Sequence, residues 1–105
     1  MNWNKVVSLV QTSLAMGAAS SGSFLIPSIQ KGSCRMVVCN ENIGANTKKK
    51  LCDKTKSYHI PLLMMPEEQF NRISSKAAQA YGLSNPGIVS SIVELMGLDQ
   101  EKKED

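Results

Sequence analysis

Apolar residues recur at two different spacings along this chain, and the alternation between them lays out a fold. Trp3, Val6, Val7, Val10 and Leu14 fall three and four residues apart. They share one face of a helix over residues 3–16. Phe24, Leu25, Ile26 and Ile29 predict a second, short helix ending near Gly32. Proline brings no amide N–H, so Pro27 fits that helix only in its first turn. Between the two helices the small residues of Gly17–Ser23 read as a flexible turn. Met36–Cys39 is a continuous, valine-rich apolar run, the pattern of a strand buried on both faces. Thr47, Leu51, Thr55 and Tyr58 then return to helical spacing and predict a third helix over 46–58. Ile60–Met65 is a second apolar run, with Pro61 at its start, where a missing donor is tolerated. Strand, helix and strand in this order imply a right-handed parallel crossover.

Pro66, Glu67 and Glu68 open a fourth helix, proline at the first helical position and acids in the first turn, which runs to about Ser75. Ala77–Leu83 predicts a final strand. Ser84 or Asn85 caps the last helix, Pro86 stands just inside it, and Val89, Ile92, Val93 and Met96 form its buried stripe. Helices alternating with strands around a small sheet give an α/β fold, a three-layer α/β/α sandwich.

A chain of 105 residues, 42% hydrophobic and 20% charged, is expected to form one domain with an ordinary core. No apolar run approaches the ~18 residues of a membrane-spanning helix. Asn2, Trp3 and Asn4 precede Lys5, without the basic start and apolar core of a secretory signal, so the expected location is cytoplasmic. Cys34, Cys39 and Cys52 are odd in number and lack zinc-ribbon spacing; they are expected as free thiols that behave as small buried hydrophobes. The net charge of +3 is unevenly spread. The segment 99–105 carries four acids and two lysines, leaving ten basic and five acidic residues, +5, on the rest. The expected domain spans 1–98, followed by a frayed charged tail, 99–105.

Lys48, Lys49 and Lys50 sit in the first turn or so of the third helix. A helix N-terminus disfavours cations by ~0.3–1 kcal/mol each, and the same end binds phosphate well. The run therefore suits a polyanion, and it also reads as a solvated face. Ser20, Ser21, Gly22 and Ser23 form a Gly/Ser turn leading into a helix, a place where backbone donors approach a phosphate or base edge; it reads equally as a plain tight turn. No Gly-rich nucleotide motif is present. The cysteines and His59 follow no metal-ligand rhythm, and no nucleophile–base pair is legible. The expectation is a protein that is not an enzyme and takes no metal, cofactor or small-molecule substrate. Aromatic residues are too few for base stacking across a sheet.

Asn46–Lys54, reading NTKKKLCDK and followed by TKSYHIP, resembles the core signature of the kink-turn-binding ribosomal protein superfamily that includes large-subunit proteins seven-Ae and thirty-e. The resemblance is nearest to the bacterial YlxQ-type branch. Ser8–Met16 resembles the first family helix, Gln30–Val38 the strand that follows the second, and Ser84–Ile88 the start of the last helix. Lys76 matches a lysine before the last strand. The resemblance covers residues 3–97. It implies the same sandwich with a four-stranded mixed sheet, adding a short first strand around Ala18–Ser21. It also implies a ribosome-associated protein that binds kink-turn-like RNA, with protein partners in a ribonucleoprotein particle and no membrane. The implied RNA surface is made by Ser20–Ser23 in the turn, Asn40–Lys50 at the start of the third helix and Ser74–Gln79 before the last strand; within these the site residues are Ser20, Ser21, Gly22, Ser23, Asn42, Asn46, Lys48, Lys49, Ser75, Lys76 and Ala77.

Three departures bear on specificity. Aligned on Ile29, Ser21 and Gly22 stand where the family turn has Gly-Glu, and Pro27 stands at a family lysine; Asn42 replaces an aspartate. A buried bidentate contact to a base is worth ~1–3 kcal/mol, one or two decades of affinity. Lysine contacts to phosphates carry no sequence information. The alternative reading is therefore a diverged member that has lost specific RNA reading and serves as a protein-interaction module or a nonspecific RNA binder.

Overall fold

The computed structural model describes residues 1–74 and 78–104, with side chains in the last helix described as far as Gly97. Helix α1 (Trp3–Ala15) starts at Asn2, whose side-chain oxygen accepts the Lys5 N–H at 3.2 Å. A two-residue strand β1 (Ala19–Ser20) and a single 3₁₀ turn (Gly22–Phe24) lead into α2 (Leu25–Gln30). Pro27 occupies the first turn of α2, and Gly32, at φ +81°, turns the chain away after it. Then follow β2 (Met36–Asn40), α3 (Ala45–Ser57), β3 (Leu62–Met65), α4 (Glu67–Phe70), β4 (Ala80–Leu83) and α5 (Pro86–Glu104). Asn85 caps α5 by accepting the Ile88 N–H at 3.0 Å.

The sheet is mixed, in the order β1-β4-β2-β3. β2 and β3 are parallel, Val37 opposite Leu62 and Asn40 opposite Met65. β4 runs antiparallel to both its neighbours, Cys39 facing Ala80 and Ala19 facing Leu83. All five residues of β2 and all four of β4 are buried. Because side chains alternate along a strand, β2 serves two cores at once. Met36 and Val38 join Tyr81, Leu83, Leu63 and Met65 beneath α1, α4 and α5. Val37 and Cys39 join Ala80, Leu25, Ile29 and Leu51 beneath α2 and α3. The sheet is thus covered on both faces, as the alternating pattern predicts.

Gly82 lets α2 lie close against β4. A Cβ there would stand 2.6 Å from Leu25 Cδ1 and 3.0 Å from Cys34 Sγ, well inside contact distance.

Several elements differ from expectation. The fourth helix is one turn long and stops at Phe70 rather than near Ser75, with Pro66 at its cap rather than its first position. Tighter three-residue turns follow, Arg72 N–H to the Gln69 carbonyl and Ile73 N–H to the Phe70 carbonyl, which set both Phe70 and Ile73 into the sheet face. On α5 the buried stripe is Ile88, Val89 and Ile92, and Val93 is 43% exposed. Each helical step turns the chain by about 100°, which carries Val93 past the face that Ile92 presents to α1. On α3 only Leu51 and Thr55 are buried; Thr47 and Tyr58 are exposed. The tail from residue 99 lies outside the residues whose side chains are described.

Candidate nucleic-acid interface

The end of β2 organises the surroundings. Asn40 is only 2% exposed, and its backbone N–H donates to the Gln79 carbonyl at 2.9 Å. Its side chain makes two further bonds: Oδ1 accepts the Asn42 N–H at 2.9 Å, and Nδ2 donates to Gln79 Oε1 at 3.1 Å. Asn42 in turn donates its side-chain N–H to Glu67 Oε2 at 2.9 Å. One buried amide therefore ties the exit of β2, the approach to β4 and, through Asn42, the start of α4.

Beyond Asn42 the chain enters α3 through Gly44, which offers no side-chain cap, and no acidic residue occupies the first turn. The amide N–H groups of that turn thus keep their positive character. Lys48 is the fourth residue of α3, so the lysine run begins where the first turn ends. Lys48, Lys49 and Lys50 are exposed, and among the described residues no carboxylate lies within ion-pair distance of them or of Lys54. Asp53 is the one acid on α3, and it makes no ion pair with these lysines among the described residues.

The turn after β1 approaches from the other side. Ser20 ends the strand, Ser21 is extended, and Gly22 adopts φ +57°, a conformation that costs glycine little. Ser23 is exposed.

A pocket of about 160 Å³ opens where these pieces meet. Gly22, Leu25 and Ile26 form one wall, Ile43, Thr47, Lys50 and Leu51 the opposite one, and Gln79 and Ala80 the end. A second, more open groove of about 440 Å³ continues from it between α2 and α3 along Ile26, Lys50, Asp53, Lys54 and Ser57. The floor is apolar and the rim carries a hydroxyl, an ammonium and an amide, a composition suited to a planar, partly apolar group with polar edges.

Of the residues expected to touch RNA, Gly22 lies on the pocket itself. Ser20, Ser21 and Ser23 share its turn. Asn46, Lys48 and Lys49 stand on the exposed side of α3, beside the pocket rather than in it. Asn42 is next to this group, with one side-chain donor engaged by Glu67. Ser75, Lys76 and Ala77 lie outside the described residues. Ile43, Thr47, Lys50 and Gln79 line the pocket from within the segments that the resemblance implies, although they are not among the residues singled out there, and Ile26 joins it unanticipated. Lys50 carries the same signal as its two neighbours in the run. Gln79 has no signal of its own beyond its place in the segment before the last strand, because its contact with Asn40 spans 39 residues.

Cys34, Cys39 and Cys52 are all free, as expected, but only the first two are buried. Burial raises the Cys34 thiol above its ordinary range. Burial, assisted by the neighbouring Cys52 and partly offset by Lys48, pushes the Cys39 thiol up to about 11. Thiolates, not thiols, react with alkylating agents. Iodoacetamide at neutral pH is expected to modify one cysteine, Cys52, in the folded protein and all three after unfolding in guanidinium, as counted by intact mass. Rapid modification of more than one thiol in the folded state would contradict this burial. Among the described residues no group of three or more potential ligands is placed to hold a metal ion, and no helix is long and apolar enough to cross a membrane.

No protein-family model matches this sequence. No curated protein matches it either. Solved structures do share its fold. One is a protein of unknown function from Bacillus halodurans C, 22% identical, with a TM-score of 0.75 over 91% of this chain and 97% of that one. Another is the 15.5kD RNA-binding protein of Giardia lamblia, 13% identical, with a TM-score of 0.70 over 90% of this chain and 83% of that one.

Proposed function

We propose that this chain is a non-catalytic, cytoplasmic RNA-binding protein, associated with ribosomes or ribosomal RNA, that takes kink-turn-like RNA on the surface formed by the Ser20–Ser23 turn, the start of α3 and the segment before β4. The observation that carries this reading is convergence. Three segments far apart in sequence meet around one pocket, beside a lysine face that has no partner within the described residues. Phosphates would lie against Lys48 and Lys49 and the open end of α3. An unpaired base would enter the pocket, and the Gly22 turn would approach it through its backbone. The Giardia protein, which is an RNA binder, supports the reading through its shared fold. So does the NTKKK segment, whose resemblance to the kink-turn family points to the same face.

A titration at physiological salt tests this. One arm uses a kink-turn RNA and the other the same RNA with its sheared G·A pairs replaced by Watson–Crick pairs. Binding at least about tenfold tighter to the first is the expected result. Equal binding to both favours the second reading, a diverged protein whose Ser21, Gly22 and Pro27 no longer support specific recognition. Failure to bind either sinks RNA as the partner.

A further inference from the structure

The strand order leaves one edge of the sheet without a partner. β3 has β2 on one side and no strand on the other. The Val37 N–H donates to the Pro61 carbonyl at 3.0 Å, and the Glu41 N–H to the Met65 carbonyl at 2.9 Å. Each residue of a strand turns its N–H and C=O to the same side, and successive residues alternate. Pro61, Leu63 and Met65 therefore address β2, and Leu62 and Met64 present their backbone groups outward. Among the described residues nothing bonds to those groups. Sheet edges are ordinarily blunted by shortness, charge, proline or a bulge. β1, at the opposite edge, is only two residues long. β3 has four, reading LLMM, with no charge and no proline among them.

A cationic flank overlooks this edge. Leu51 and Thr55 set α3 onto the sheet. At about 100° per residue, Thr47, Lys50, Lys54 and Ser57 fall on one side of that stripe and Lys48, Cys52 and Lys56 on the other. The first side meets α2. α2 rests on β4 at Gly82, so the order β4-β2-β3 puts β3 beneath the second side. The Cys39 thiol agrees: Cys52 and Lys48 both act on it, and its partner across the strand pair is Met64. Lys48, Cys52 and Lys56 are exposed, and no described carboxylate lies within ion-pair distance of either lysine. We propose that the outer edge of β3 docks an acidic, extended segment of a partner protein, which joins the sheet as a further strand. Lys48 and Lys56 are eight residues apart, about 12 Å along the helix. Residues i and i+4 of a strand lie about 13 Å apart on one face. The pattern that fits is an acid at i and at i+4, with an apolar residue at i+2 facing Cys52 and the half-buried Leu62 and Met64. A second copy of the chain fits less well. Continuing the sheet edge to edge would lay two lysine flanks side by side with no acid between them. This docking stands independently of the RNA-binding role; Lys48 borders both surfaces.

The test titrates an acetylated, amidated heptapeptide reading SETVTES into isotope-labelled protein and follows the backbone amides by NMR. The Leu62 and Met64 amide signals are expected to move downfield, as amides do on gaining a hydrogen bond, and those of Leu63 and Met65 much less. Lysine in place of both glutamates of the peptide should abolish the shifts. Lys56→Glu is expected to weaken binding about fivefold, one surface ion pair being lost and a repulsion gained. Met64→Pro removes one outward donor and no bond to β2, and should also weaken binding about fivefold. A thermal melt confirms that each variant is folded. Lys56 is exposed, so Lys56→Glu decides the matter even if Met64→Pro does not fold. Three results would each overturn the docking: no movement of Leu62 and Met64 at millimolar peptide, equal binding of the lysine peptide, or unchanged affinity in Lys56→Glu. Broadening of the same amides with protein concentration alone would assign the edge to a second copy instead. Their movement on adding a kink-turn RNA but not the peptide would assign it to RNA, and either outcome overturns the acidic partner.

Discussion

Exchange of Lys48 and Lys49 together for glutamate is expected to lower affinity for the kink-turn RNA by about a hundredfold or more at physiological salt, with the fold intact. Two favourable phosphate contacts are lost and two repulsive charges take their place. Each lysine that meets a phosphate releases about one condensed counterion, so the slope of log affinity against log salt should fall by about two in the variant. Nothing in the fold resists the change. Both side chains are exposed, and neither has an ion-pair partner among the described residues. Acidic residues early in a helix are favoured by its dipole by ~0.3–1 kcal/mol, so α3 should be no less stable. Anisotropy titrations at two salt concentrations, with a thermal melt alongside, separate the effects. Unchanged affinity in a folded double variant would show that this face does not meet the RNA.

Phe70→Ala should be the most damaging single truncation near the site, costing ~3–5 kcal/mol against a net stability of about 5–15 kcal/mol for a domain. A helix of four residues has no stability of its own, so α4 (Glu67–Phe70) is held by what it buries. Phe70 is buried in the α1–α5 face of the sheet, its ring stacked on Tyr81 with centroids 5.5 Å apart. The chain just beyond is clasped by Gln11, whose Nε2 donates to the Arg72 and Ile73 carbonyls at 3.0 and 3.3 Å. Without the ring, both a cavity and an unanchored turn result. Phe70→Leu keeps most of the volume and should cost less than half as much. Urea unfolding followed by circular dichroism measures both. Near-wild-type stability in Phe70→Ala would mean that α4 is held chiefly by the Gln11 clasp. The site feels this anchor too, because Glu67, the partner of Asn42, is on the same turn.

The strands were the most legible part of the fold. An unbroken apolar run such as Met36–Cys39 has only one stable setting, the interior of a sheet covered on both sides, and that is where β2 lies. The boundaries of α1 followed from spacing because it has a clear apolar face against the sheet; spacing also placed α3, although only Leu51 and Thr55 of its stripe are buried. Spacing misled where packing, not periodicity, decides. Val93 keeps the helical rhythm of α5, yet it is Ile88 that packs with Val89 and Ile92. Residues 67–75 read as a full helix because their local propensities are good, but the need to seat both Phe70 and Ile73 tightens the chain after one turn.

For the candidate site, the cationic face was readable because a lysine run at a helix start is a local pattern. The pocket was not. Its walls come from α2 and α3 and its end from Gln79 and Ala80, segments that share no local pattern. Asn40 ends an apolar run as an apparently ordinary strand terminus. Only the register of β2 against β4 reveals it as the buried hinge of the surrounding hydrogen bonds.

The strand order has a bearing on how the molecule is made. β4 is the last strand in the chain, yet it lies inside the sheet, between β1 and β2. On the ribosome β2 and β3 emerge before β4 and can pair, but one edge of β2 then stays bare, its backbone groups open to any passing strand. Met65 ends β3 and Leu83 ends β4, 18 residues later. At 5–20 residues per second that interval lasts about 1–4 s. Throughout it the two-sided core is half built, and the contact that sets Gln79 does not exist. Under the proposed function, recognition by this surface would begin only once β4 has been inserted, so the nascent chain would present its lysines well before it presents a shape.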